Sequence, residues 1–101
     1  MTSITIETEG NRRMLTAKDH AGDIEACNYI TGVLYSLGGF IANEAERGNT
    51  ELLQLRMEPG DVVIEAKGGE RMETAFEMAC VGLLQLQLQR PAAVRVEIVD
   101  R

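Results

Sequence analysis

The sequence predicts an α+β fold in the order ββαββαβ, a mainly antiparallel sheet packed with two helices. Three observations predict it. Short stretches of alternating apolar and polar residues are bounded by Gly, Asn and Pro, as strands are. Two longer stretches carry apolar residues at spacings of three and four, as helices do. The strands come as two hairpins and a final single strand, each hairpin followed by a helix. Residues 1–101 form one domain with a single modest core.

Ile4 and Ile6 alternate with Thr5 and Glu7, which predicts a first strand over about residues 2 to 9. Gly10-Asn11 supplies turn chemistry, and Leu15 and Ala17 alternate with Met14, Thr16 and Lys18, so a second strand pairs back as a hairpin. From Ile24 the period lengthens. Cys27, Ile30, Leu34, Leu37 and Ile41 form one stripe of a helix, with Asp23 as its N-cap and Gly48-Asn49 as its stop. Within it Gly38 and Gly39 each cost about 1 kcal/mol against Ala and are expected to kink the helix or admit another backbone.

Leu53, Leu55 and Met57 mark a third strand, Glu58-Pro59-Gly60-Asp61 a turn, and Val62 to Ala66 a fourth strand ended by Gly68-Gly69. Met72, Ala75, Phe76, Ala79, Cys80, Leu83 and Leu84 trace a second helix running to about Gln89, before Pro91. Val94, Val96 and Ile98 close the chain as a fifth strand.

Composition narrows the function. A net charge of −6, with no cluster of Lys and Arg, excludes direct binding to nucleic acid and favours a basic polypeptide. Two distant cysteines and one histidine exclude a standard zinc site, so no metal or cofactor is expected. No signal segment or long apolar run is present, so the expected location is cytoplasmic, with reduced thiols and no membrane contact.

Chemistry concentrates between Asp19 and Thr31. The only histidine, His20, precedes Cys27 by seven residues, the loop running into the first turn of a helix. Free N–H groups and the helix dipole at such a start favour a thiolate, and a nearby imidazole can take the thiol proton and return it to a leaving amine. Backbone amides at the same helix start are the natural donors for a developing oxyanion. Asp19, Asp23 and Glu25 surround the pair with negative charge.

His20-Ala21-Gly22, then Asp23-Ile24, then Cys27 and Thr31 resemble the signature of the Prp (YsxB-like) ribosomal-processing cysteine proteases, and Gly82-Leu83 followed by Pro91 resembles a second motif of that family. The resemblance implies a thiol peptidase with Cys27 as nucleophile and His20 as general base. Asp23 would cap or orient, and Thr31 would support the dyad from one turn below. It implies a protein substrate, namely a ribosomal or phage structural protein precursor cleaved at an amino-terminal extension, and a homodimer. Four departures stand beside the matches: Asp19 for a glycine, Asn28-Tyr29 for two alanines, Arg90 for a tyrosine, and only six residues between His20 and Cys27, shorter than the family pattern. The alternative is a non-catalytic homodimeric binding module that keeps the Prp scaffold.

The remaining features read as structural. Glu44, Glu46, Glu51, Glu70, Glu73 and Glu77 are expected on solvated faces, Cys80 in the core, and Tyr29 and Tyr35 half-buried. The Gln and Leu run ending the second helix is a candidate oligomer contact.

Overall fold

Alternation decides which face of a strand is covered, and the computed structural model, which describes residues 1–101, follows it at Ile4, Ile6, Leu15 and Ala17. In β3, against expectation, a register shift between Leu52 and Gln54 sets Leu52 against the core and leaves Leu53 exposed. The elements are β1 (Thr2–Glu9), β2 (Arg12–Lys18), α1 (Ile24–Glu46), β3 (Glu51–Glu58), β4 (Asp61–Lys67), α2 (Glu70–Gln89) and β5 (Val94–Asp100). The ββαββαβ order is therefore the one expected. The sheet order is β3-β4-β2-β1-β5. All neighbours are antiparallel except β1 and β5, which run parallel because α2 carries the chain back before β5 begins.

In register, Ile6 pairs with Leu15 and Leu15 with Ile64, so a row of buried apolar side chains crosses the sheet. Helix α1 lies over β3 and β4, α2 over β5 and β2, and the two pack on one another. The other face is polar: Arg12 lies between Glu7, 3.3 Å away, and Glu65, 3.2 Å away.

Along α1, Ile30, Leu34, Leu37 and Ile41 are buried as the stripe predicts, but Ala26 and not Cys27 is the buried residue at its start, Cys27 being half-buried. The helix is continuous through the glycine pair. What comes close there is side chain, not backbone: a Cβ on Gly38 would lie 3.3 Å from Met57 Sδ and 3.4 Å from Leu55 Cδ1. The helix ends where Gly48, at φ +77°, turns the chain and its N–H donates to Ala45 O.

Glu44 corrects the solvated-face expectation. It is 1% exposed and accepts hydrogen bonds from Arg71 Nε at 2.7 Å and Asn49 Nδ2 at 3.3 Å, tying the end of α1 to the start of α2. The Arg71 hydrogen bond, against the cost of burial and with help from Asn49 and Arg47, holds its carboxyl below the usual range. A depressed carboxyl adds stability that is complete above the unfolded value and is lost as pH falls through the folded one. Glu44→Gln is therefore less stable than the parent at neutral pH, and the two urea midpoints converge in acid.

On α2, Met72, Phe76, Ala79, Leu83 and Leu86 are buried. Cys80 is half-buried and packs against the core. Burial, with the Glu77 carboxylate adding, pushes its thiol up. No helix is long and apolar enough to cross a membrane.

Candidate active site

Three segments meet at one end of the sheet. The first is the amino-terminal half of α1, whose start is set by Asp23: its Oδ1 accepts from the N–H groups of Glu25 at 3.0 Å and Ala26 at 3.3 Å. The second is Asp19-His20, just past β2. The third is the β3–β4 turn, Glu58-Pro59-Gly60-Asp61. Between them lies a cavity of about 220 Å³.

Cys27, half-buried, and His20, exposed, both line this cavity. Thr31, one turn below Cys27 on the same helix face, lines it too. Its inner wall is apolar, from Ala17, Ile30, Leu34, Met57 and Val62. Tyr35, 61% exposed, stands at its edge, more open than the half-buried position expected of it. Tyr29, 43% exposed, is close to half-buried, and its hydroxyl donates to Gly82 O at 3.0 Å, joining the two helices. A larger hollow, about 820 Å³, lies between the outer faces of the helices, but neither histidine nor cysteine lines it.

The loop carrying His20 is pinned from both sides. The Asp19 N–H donates to Gly60 O at 2.9 Å, and Thr2 Oγ1 donates to Asp19 O at 3.1 Å. Asp19 has φ +70°, the one non-glycine residue in the left-handed region. The backbone thus takes here a conformation that glycine adopts freely and that Asp tolerates at a cost of about 1 kcal/mol.

The negative charge expected around the pair is partly answered by Arg90. From the carboxyl end of α2 its Nε lies 3.2 Å from Asp23 Oδ2, and its Nη2 donates to Glu25 Oε2 at 2.8 Å. At the turn, Asp61 is held below the usual carboxyl range by hydrogen bonds from Lys18 and then Arg56. Asp19 and Glu58 leave the cavity rim acidic. No three His, Cys, Asp or Glu side chains lie together as a metal site would need.

One expectation changes. The Glu25 and Ala26 amides are engaged by the Asp23 carboxylate, and the Cys27 N–H donates to Asp23 O at 2.9 Å, so these helix-start amides are not free to hold an oxyanion. The Asp23 cap that sets the helix start consumes them. Because Asp23 serves as cap and as partner of Arg90, Asp23→Ala is expected to cost about 1 kcal/mol, within the roughly 0.5–2 kcal/mol typical of a lost cap. Arg90→Ala removes only solvent-exposed ion pairs and costs less, about 0.5 kcal/mol. Urea midpoints at constant slope rank the two.

The sequence pointed to His20, Cys27, Asp23 and Thr31. It missed the Pro59-Gly60 turn as a wall of the site, since Glu58-Pro59-Gly60-Asp61 signalled only a hairpin. It also missed Arg90 as the partner of Asp23 and Glu25, having marked it only as a departure.

A five-stranded sheet in this order with two helices on one face is the fold of the Prp protease. The solved structures of similar fold include the essential ribosomal processing protease Prp of Staphylococcus aureus in complex with a covalently linked product peptide, with TM-score 0.80 and 14% identity over 97% of this chain and 99% of that one. The same protease with a substrate peptide gives TM-score 0.72 and 8% identity over the same shares. SMU.848 from Streptococcus mutans gives TM-score 0.72 and 17% identity over 100% of this chain and 96% of that one. Protein-family models and curated proteins give no match.

Proposed function

We propose that this protein is a divergent Prp-like cysteine peptidase working with a Cys27–His20 dyad. One observation carries the reading: the only imidazole and the helix-start thiol line the same cavity, on a fold shared along its whole length with a peptidase. The cavity's size also fits. At about 220 Å³ it is smaller than the roughly 300–1,000 Å³ of sites that enclose a small-molecule ligand. It suits one side chain of a peptide whose backbone runs across the open mouth.

In this mechanism His20 accepts the Cys27 proton as sulfur attacks the scissile carbonyl. The tetrahedral intermediate collapses to a thioester while the imidazolium gives its proton to the leaving amine. A water then attacks the thioester as His20 takes its proton; the C–S bond breaks, the carboxylic acid product departs, and the proton on His20 returns to the Cys27 sulfur. No metal or redox partner is required to balance these steps. Asp23 holds the helix start, Thr31 supports the thiol from one turn below, and the acidic rim favours basic residues in the substrate.

The substrate class we propose is an exposed amino-terminal extension of a ribosomal or phage structural protein precursor, and the working form a homodimer in the cytoplasm. Incubation with ribosomal-protein and capsid-protein precursors, followed by intact mass, tests this: a single truncation that requires Cys27 supports it. The alternative, a non-catalytic binding module, draws on the short His20–Cys27 segment. It predicts a complex with an intact precursor.

A further inference from the structure

We infer that Gly60, at the tip of the β3–β4 turn, is a positioning residue for the His20 imidazole. The turn and the loop are joined by the Asp19–Gly60 backbone hydrogen bond, so the tip is tied to the residue that precedes His20. A Cβ built on Gly60 would lie 3.0 Å from His20 Nε2, 3.4 Å from Cε1 and 3.5 Å from Cδ2. The ring edge bearing Nε2 therefore occupies the space a side chain would fill. Pro59 beside it fixes its own φ and stiffens the tip. The catalytic consequence rests on His20 acting as the base, whereas the positioning itself does not.

Because His20 is exposed, a side chain at position 60 is accommodated by the ring swinging away and not by the backbone yielding. Substitution at Gly60 should then displace the imidazole without unfolding the protein. A control is built in. Gly60 has φ +70°, a conformation that strains any L residue, and Gly10 has φ +57° with no neighbouring atom within 4 Å of where a Cβ would stand. Gly10→Ala therefore reports the strain alone, and Gly60→Ala the strain together with the lost ring site.

The test combines three measurements on full-length Gly60→Ala, Gly10→Ala, His20→Ala and the Gly60→Ala/His20→Ala pair. Gly60→Asn joins them, since Asn accepts positive φ more readily but still carries a Cβ. As the chain has one histidine, its Hε1–Cε1 NMR cross-peak is a single signal. We expect that signal to shift in Gly60→Ala and Gly60→Asn but not in Gly10→Ala, with Gly60→Ala and Gly10→Ala sharing one thermal midpoint. Iodoacetamide alkylation of Cys27 at neutral pH should slow by about tenfold in Gly60→Ala, with no further loss in the double variant beyond His20→Ala.

An unshifted His20 signal in both position-60 variants overturns the inference, as does a Gly60→Ala midpoint far below that of Gly10→Ala. If His20→Ala alkylates at the parent rate, the base reading falls instead, and the NMR signal alone decides the role of Gly60.

Discussion

Cys27→Ala is expected to abolish precursor cleavage, lowering the rate by at least about 10³-fold, because in a nucleophile–base pair removal of the nucleophile costs nearly as much as removal of the whole unit. Cys27→Ser should fail similarly, since a hydroxyl is a far poorer nucleophile where the partner is tuned to a thiol. His20→Ala should cost about 10²–10⁴-fold, the usual worth of a positioned proton acceptor. Cys80→Ala should leave cleavage intact. Cys80 packs against the core on α2, lines a different hollow, and has its thiol pushed up by burial. The measurement is product mass against time with each variant at equal concentration and with matched circular dichroism.

Phe76→Ala should have the largest effect on stability. Phe76 is 2% exposed and belongs to the same buried cluster as Ile6, Leu15 and Ile64 on the sheet. Truncating such a ring removes its transfer free energy and leaves a cavity the helix cannot close, a cost of about 3–5 kcal/mol. Against a typical total of about 5–15 kcal/mol, that is a large share. At about 4–8 °C per kcal/mol for a domain of this size, the thermal midpoint should fall by at least about 12 °C. Leu88→Ala on the same helix, 76% exposed, should move it hardly at all. Equal losses in the two variants would contradict the assignment of the α2 core face.

The elements were legible because each expresses a local period. Ile4 and Ile6 on β1, and Ala26 through Ile41 on α1, are buried at the spacings their geometry demands. Asp23 was legible as a cap for the same reason, its carboxylate reaching amides two and three residues on. The sheet order was not. Nothing local to β5 says that it runs beside β1 and parallel to it, since that follows from how α2 crosses the sheet.

Of the candidate site, the part legible in the sequence is that His20, Cys27 and Thr31 line one cavity. His20 and Cys27 stand close in sequence, where a hairpin end meets a helix start, and so share that cavity. Arg90 reaches Glu25 across 65 residues, and Arg71 reaches Glu44 across 27. A carboxylate on a helix reads as solvated until its distant partner is known, which is why Glu44 was assigned to the wrong surface. Gly60 was hidden differently: its role lies in the side chain it lacks, and a turn glycine carries the same letter whether or not a ring rests upon it.

The central claim is that His20 serves Cys27, and the direct measurement is mass-resolved iodoacetamide labelling of the native protein at neutral pH, with Cys80 as internal reference. Cys27 should be labelled at least about tenfold faster than Cys80, and His20→Ala should slow the labelling of Cys27 by about tenfold while leaving that of Cys80 unchanged. Labelling of Cys27 at the rate of a thiol in the unfolded chain, unchanged by His20→Ala, would contradict it.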